Sequence, residues 1–262
     1  MAKRENKYDR NDRIRSIVAE MIEEHKRTGK APKLDADTLN LCLQYCGDGG
    51  NKNADLIKGG ALNQFYTPDY ICDIMYRLAK LHGYKRGKIL EPSAGIGNML
   101  KPFVDNKDFK SITIYEPDEY ACEICESRFG DQHIEARREY FETAFLMPPY
   151  FSTPKKTVKP EFDLVIGNPP YGKHVNKYTS YFRGKDDFKQ TEMFFIKKGL
   201  DLLRAGGLLV FIVPMNVLSN GLKDLKDIPR ICMIKDAYRL PPVFGSTKIP
   251  TDIIVLQKNI MI

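Results

Sequence analysis

Short apolar runs alternate with amphipathic segments along most of the chain. The runs are rich in β-branched residues and predict buried strands, and the segments between them repeat apolar residues at helical spacing. We predict strands at 88–91, 111–116, 133–137, 163–166, 208–213, 231–240 and 252–257, with helices between them that include 191–203 and 216–226. This alternation implies an α/β fold with a doubly wound, mostly parallel sheet, and we expect the last strand to be antiparallel.

The start of the chain has a different pattern. Apolar residues recur every three or four positions over 12–28, which predicts a helix with Asn11 as its N-cap. A second short helix is predicted from Asp37 and is followed by a glycine-rich linker. We therefore divide the chain into a helical appendage at 1–60, which carries no catalytic signature, and a catalytic domain at 61–262.

Composition narrows the class of protein. The 262 residues carry a formal net charge of +7, spread along the chain, which only weakly favours a polyanionic partner. No apolar run is long enough for a membrane span, and the charged first residues lack the core of a signal peptide, so we expect a cytoplasmic protein. The six cysteines include the pairs Cys122/Cys125 and Cys42/Cys46, but their helical spacing favours buried thiols over zinc, and no metal site is predicted.

A glycine-rich turn joins the first predicted strand to a helix. Its sequence is Glu91-Pro-Ser-Ala-Gly-Ile-Gly97, and glycines at such a turn let the backbone approach a ligand closely. The turn lacks the third glycine of the dinucleotide fingerprint and the lysine of a phosphate loop, which disfavours NAD and ATP. Glu116 ends the second strand, where a carboxylate can accept hydrogen bonds from both hydroxyls of a ribose.

The turn Asn168-Pro-Pro-Tyr171 follows a buried strand and is stiff, because its two prolines fix φ. Its amide, carbonyls and aromatic ring can grip a planar group that carries an NH2, although a rigid turn without function is an alternative. Such a nitrogen is a poor nucleophile, since its lone pair is delocalised into the ring. Hydrogen bonds to the Asn168 amide oxygen and the Pro169 carbonyl would favour a tetrahedral nitrogen, and the matching reaction is methyl transfer from S-adenosylmethionine.

Two further segments have an open interpretation. In Gln64-Phe-Tyr-Thr-Pro68, Thr67 can N-cap a helix whose N-terminus attracts a carboxylate, or the segment is simply a well-capped helix. In the loop 173–189, Tyr178, Tyr181 and Phe182 lie between basic residues. They can stack on a nucleic acid, or the loop is a mobile surface connection.

In this order the motifs resemble those of the γ-class DNA adenine-N6 methyltransferases, including methylases of the Eco57I and TaqI type. The resemblance covers about residues 60–258. It implies a Rossmann-like S-adenosylmethionine-dependent methyltransferase fold, S-adenosylmethionine as cofactor and DNA as substrate. It also implies site-specific methylation of the N6 amine of a flipped-out adenine in a bacterial, phage or mobile-element restriction-modification setting.

The resemblance assigns roles to three sets of residues. The catalytic turn is Asn168, Pro169, Pro170 and Tyr171. The cofactor-binding residues are Phe65, Tyr66, Thr67, Pro68, Glu91, Ala94, Gly95, Gly97, Glu116 and Phe141. Tyr171 and Phe244 would stack on the target base.

The chain departs from the family at two points. The family usually has Asp-Phe after the third strand, where the acid meets the adenine amine of the cofactor, whereas this chain has Arg138-Glu-Tyr-Phe-Glu142, so the acid with that role is open. A target-recognition domain usually follows the last strand, and here the sequence stops at Ile262. We therefore expect recognition to come from a missing part, from a separate target-recognition or restriction subunit, or from residues 1–60.

Two alternatives remain. The same turn serves methylases that act on protein glutamine or on guanine-N2 of ribosomal RNA, although the position of Gln64–Pro68 before the glycine turn and the Phe244 region favour DNA adenine. The second alternative is a non-catalytic methylase fold that binds DNA or a partner.

Overall fold

The computed structural model of the chain describes residues 6–47, 66–130, 132–182, 188–221, 228–242 and 249–260. The strands are β1 (Lys88–Glu91), β2 (Ser111–Tyr115), β3 (Ile134–Arg137), β4 (Phe162–Gly167), β5 (Leu203–Pro214), β6 (Cys232–Arg239) and β7 (Thr251–Lys258). They form a seven-stranded sheet in the order β3-β2-β1-β4-β5-β7-β6. β1 to β5 run parallel, and β7 lies antiparallel between β5 and β6. The predicted fold class and the antiparallel last strand are confirmed.

Helices cover both faces of the sheet. They are α1 (Lys7–Thr28), α2 (Ala36–Cys42), α3 (Asp69–Leu81), α4 (Lys101–Asp105), α5 (Glu119–Phe129), α6 (Thr191–Leu202) and the single turn α7 (Ile228–Ile231). One core cluster lies between the sheet and α3, α4 and α5, and a second lies between the sheet and α6. Neighbouring strand residues such as Ile89 and Leu90 face opposite clusters, which explains the continuous apolar runs of the strands. None of the described helices has the length and apolar character that crossing a membrane requires.

The N-terminal helices differ from the prediction at their start. α1 begins five residues earlier than predicted, because the side chain of Asn6 accepts hydrogen bonds from two backbone N–H groups of the first turn. Asn11, the predicted N-cap, is buried inside the helix, and its amide donates to the Gly47 carbonyl at 2.8 Å. The predicted cap was therefore wrong, because a partner distant in sequence holds this side chain. Residues 48–60 of the appendage lie outside the described residues.

The predicted role of Thr67 as an N-cap was also wrong. α3 begins at Asp69, Pro68 occupies the cap position, and no side chain caps the helix. The Thr67 hydroxyl instead accepts a hydrogen bond from the Asn168 amide nitrogen at 3.3 Å. This contact joins the start of α3 to the turn after β4.

Three other segments refine the prediction. The glycine turn leads into a 3-10 turn at Asn98–Leu100 and then α4, rather than into one helix. The helix predicted at 216–226 is a π-helical turn at Val217–Gly221 in its described part, and 222–227 lie outside the described residues. In the basic loop, for which stacking on a nucleic acid and a mobile surface connection were both open, Phe182 is buried against Phe194. Tyr181 stays 38% exposed.

Close packing against α5 requires a glycine at position 97. Its φ is +80°, and a Cβ would lie 2.7 Å from both Cys125 Sγ and Phe129 Cε2. Gly29, which ends α1 with φ +73°, has nothing within 4 Å of a Cβ. The two glycines therefore share the left-handed conformation but differ in their surroundings.

We predict that Gly97→Ala lowers the free energy of unfolding by about 2–5 kcal/mol, since it adds the cost of overpacking to that of a left-handed backbone. Gly29→Ala, the matched control, has only the backbone cost of about 1–2 kcal/mol. Urea denaturation followed by circular dichroism measures both. Equal losses in the two variants would contradict the packing role of Gly97.

Candidate active site

A cleft of about 760 Å³ lies at the carboxyl ends of β1, β2 and β4. Its lining residues come from the glycine turn, the end of β2, the turn after β4 and two later segments. They are Tyr66, Pro92, Ser93, Gly95, Glu116, Pro117, Tyr140, Phe141, Glu142, Asn168, Pro169, Pro170, Val175, Asn176, Thr191 and Phe195. Parallel strands end at the same edge of the sheet, so motifs distant in sequence meet there.

Glu116 is the acid at the end of β2, and it is buried. Its two oxygens accept hydrogen bonds from the backbone N–H groups of Gly95 at 2.7 Å and Asp118 at 2.9 Å. Burial and, to a smaller extent, the charge of Asp118 raise the pKa of Glu116 to about 7, with the two N–H groups opposing the shift. The carboxylate thus joins the glycine turn to the turn after β2.

Tyr66 packs on the glycine turn. A Cβ on Gly95, whose φ is +53°, would lie 2.5 Å from the Tyr66 ring, so only glycine permits this contact. The Tyr66 hydroxyl is buried and has no hydrogen-bond partner among the described residues. Burial raises its pKa well above the usual value, so it is a protonated donor at neutral pH.

Asn168 is held on both sides of its amide. Its nitrogen donates to the Thr67 hydroxyl, and its oxygen accepts a hydrogen bond from the Tyr171 phenol. That phenol also lies 3.3 Å from the Ile212 carbonyl, and burial raises its pKa far above the usual value. The Tyr171 phenol therefore occupies the amide oxygen that is expected to accept a substrate NH2.

Glu142, rather than Glu139, faces the cleft. Its Oε1 accepts a hydrogen bond from Asn176 at 2.6 Å and lies 2.7 Å from His174 Nε2. No described residue donates to its Oε2. Glu139 accepts from Thr143 and is not among the lining residues. No sequence signal identified His174 and Asn176, which lie in the basic loop after the Asn-Pro-Pro-Tyr turn.

The other predicted residues lie around the cleft or outside the described part. Thr67, Pro68, Glu91, Ala94, Gly97 and Tyr171 are described but do not line the cleft, and Phe65 and Phe244 lie outside the described residues. Glu91 is buried with Oε2 unpaired, and its pKa is raised well above the usual value by burial and by Glu116. Among the described residues, His25, Glu123 and Glu126 have the spacing of metal ligands, but the Arg138 guanidinium donates to both carboxylates.

A family model for the Eco57I restriction-modification methylases matches residues 63–238, which is more than half of the chain. The chain belongs to this family. Defense against restriction protein B of Escherichia phage P1 is 26% identical over 234 residues, covering 86% of this chain and 9% of that protein. Type II methyltransferase M.HincII of Haemophilus influenzae is 29% identical over 199 residues, covering 72% of this chain and 34% of that protein. The chain thus spans well under half the length of these relatives.

Solved structures agree with the fold. A protein of Listeria monocytogenes assigned to the class I S-adenosylmethionine-dependent methyltransferases has a TM-score of 0.61 at 21% identity, with 85% of this chain and 66% of that chain covered. A protein of Vibrio vulnificus YJ016, assigned as the modification subunit of a type I restriction enzyme, has a TM-score of 0.60 at 16% identity, with 87% and 51% covered. The chain therefore has the Rossmann-like fold of S-adenosylmethionine-dependent methyltransferases.

S-adenosylmethionine is the cofactor of this family and fold. The residues of the cleft fit it, because Glu116 offers acceptors for ribose hydroxyls and Glu142 has one oxygen to which no described residue donates. The buried hydroxyl of Tyr66 is an unused donor on the same wall. When bound, the cofactor supplies a methyl group carried on a sulfonium.

We predict that affinity for S-adenosylhomocysteine increases as the pH rises from about 6 to about 8 and then levels off. Below a pKa of about 7 the Glu116 carboxyl is protonated in the free protein, and the ribose hydroxyls then lose their charged acceptor. Burial and the neighbouring charge of Asp118 keep that pKa high.

Calorimetry at several pH values measures how the affinity for S-adenosylhomocysteine depends on pH. Glu116→Gln is the control, because any effect from ionisation of the ligand itself is common to both proteins. Glu116→Gln should bind more weakly above neutral pH and lack the Glu116-dependent rise. Parallel profiles for the two proteins would contradict this role of Glu116.

Proposed function

We propose that the chain is the catalytic domain of a site-specific DNA methyltransferase. It would transfer a methyl group from S-adenosylmethionine to the N6 amine of an adenine flipped out of the duplex. The observation that carries the proposal is that Asn168 and Pro169 line the same cleft as Glu116 and Gly95. Membership of a restriction-modification family supports DNA as the substrate.

The fixed orientation of the Asn168 amide suits this reaction. Because its nitrogen donates to Thr67, its oxygen is the atom that accepts a hydrogen bond from an incoming NH2. Together with the Pro169 carbonyl it would hold the nitrogen tetrahedral, with its lone pair available to the methyl group. Since both acceptors lie in a stiff turn, little reorganisation is needed during the reaction.

Tyr171 would have two successive roles. In the ligand-free protein its phenol satisfies the Asn168 oxygen, which is half-buried with it. The target NH2 would replace the phenol on that oxygen, and the aromatic ring would then stack on the base. Stacking and hydrogen bonds to the base edge would offset the cost of flipping, which is a few kcal/mol.

We predict that the methylase transfers labelled methyl groups to duplex DNA and that the label appears in N6-methyldeoxyadenosine after digestion to nucleosides. Asn168→Ala should lower kcat by about 10²-fold or more, as the loss of one preorganised polar group does in other active sites. Its affinity for S-adenosylhomocysteine should be unchanged, because Asn168 faces the acceptor side of the cleft.

Thr67→Val, which keeps the shape of the side chain but removes its hydroxyl, should lower kcat by about 2- to 10-fold. Ribosomal RNA and a release-factor peptide containing glutamine serve as competing substrates. Label on either of these but not on DNA, or full activity in Asn168→Ala, would contradict the proposal.

We predict opposite effects for two substitutions of Tyr171. Tyr171→Ala removes the stacking ring and should raise the KM for DNA by about 5- to 100-fold, since stacking contributes about 1–3 kcal/mol per base. Tyr171→Phe keeps the ring and removes the phenol that competes for Asn168, so its KM should be equal to or lower than that of the unmodified protein. Steady-state kinetics at saturating cofactor measures both KM values. An equal rise in KM for DNA in the two variants would exclude competition by the phenol.

A further inference from the structure

The N-terminal helices pack directly on the glycine turn of the cofactor site. Ile96, between Gly95 and Gly97, is 1% exposed and belongs to a core cluster with residues of α1, α2 and α5. The members from the N-terminal region are Ile14, Val18, Met21, Ile22, Cys42 and Tyr45, and those from α5 are Ala121 and Ile124. The appendage therefore forms the rear wall of the glycine turn.

A second contact leads from the appendage to the ribose acid. Tyr45 is 1% exposed, and its phenol donates a hydrogen bond to Asp118 Oδ2 at 2.9 Å. The other oxygen of Asp118 caps α5 by accepting two backbone N–H groups, and the Asp118 N–H donates to Glu116 Oε1. A continuous series of hydrogen bonds thus runs from Tyr45 through Asp118 to Glu116.

The appendage is anchored at its other end by charged groups. His25 of α1 lies 3.0 Å from Glu123 of α5, and Arg138, just after β3, donates to Glu123 and Glu126. Glu123 is fully buried, so this anchor needs all of its partners. With α1 held there and Ile96 covered, Tyr45 has a fixed position relative to the turn at 116–118.

We propose that Tyr45 is a positioning residue for the cofactor, which it serves by holding Asp118 so that the Asp118 N–H stays on the Glu116 carboxylate. The N-terminal helices are then part of the cofactor site rather than a separate recognition module. Burial and the charge of Asp118 raise the pKa of Tyr45, which keeps the phenol a donor at neutral pH. The inference rests on the role proposed for Glu116 and is independent of the methyl acceptor.

Tyr45→Phe tests this inference, because it removes one oxygen and leaves the packing of the ring intact. We expect the Kd for S-adenosylhomocysteine to rise by about three- to tenfold, the effect of losing the hydrogen bond to Asp118. At saturating cofactor, kcat should stay within about twofold of the unmodified protein, since the contact acts on binding. In the ligand-free variant, hydrogen exchange should be faster at the amides of Gly95 and Asp118.

Tyr84→Phe is the matched control. Tyr84 precedes β1, at the opposite end of the sheet from the cleft, and is 4% exposed. Its phenol donates to the Asp108 carbonyl at 2.9 Å. This variant should lose comparable thermal stability and keep its Kd for S-adenosylhomocysteine. An unchanged Kd in Tyr45→Phe, or an equal rise in Tyr84→Phe, would overturn the inference.

Glu116→Gln separates this outcome from a failure of the cofactor site itself. If Glu116→Gln weakens binding and Tyr45→Phe does not, the positioning role of Tyr45 is wrong and the cofactor site stands. If neither variant changes the Kd, the role assigned to Glu116 is wrong as well.

Discussion

The buried carboxylate of Glu116 organises the side of the cleft that we propose binds the cofactor. A buried charge is costly unless it is hydrogen-bonded, and here the N–H groups of Gly95 and Asp118 bind its two oxygens. These bonds oppose the effect of burial, and the pKa settles at about 7. Since one side chain ties two turns together, the shape of this end of the cleft is set in the protein alone.

In the turn after β4, which we propose is catalytic, the polar groups are likewise hydrogen-bonded. Asn168 is bound by Thr67 from the start of α3 and by Tyr171 from its own turn. Ser93 of the glycine turn adds a hydrogen bond to the Asn168 carbonyl at 3.3 Å. The methyl-donor and methyl-acceptor halves of the proposed site are therefore in direct contact.

The sequence predicted the features that depend on local pattern. Apolar runs marked most of the strands, although β3 (Ile134–Arg137) was poorly marked. The glycine turn, Glu116 and Asn168 were placed correctly at strand ends because parallel strands share one edge. Prediction from the sequence failed where a partner distant in sequence competes with a local helix-capping contact. Thr67 and Asn11 have the residue type of a cap, but they bind Asn168 and Gly47 instead.

Other parts of the site had no local signal. Two acids follow β3, and only the fold shows that Glu142 faces the cleft while Glu139 binds Thr143. Gly97 suits a ligand loop in sequence, yet its space is taken by Cys125 and Phe129 of α5. The contact of Tyr45 with Asp118 joins residues 73 positions apart and could not be read from spacing.

A crystal structure of the chain with S-adenosylhomocysteine tests the central claim most directly, because that claim is that one cleft brings a methyl donor to the Asn168 turn. The account predicts that the ribose hydroxyls bind the Glu116 carboxylate, that the adenine lies beside Glu142, and that the sulfur faces the Asn168 amide oxygen. A ribose bound away from Glu116, or a sulfur directed away from Asn168, would contradict it.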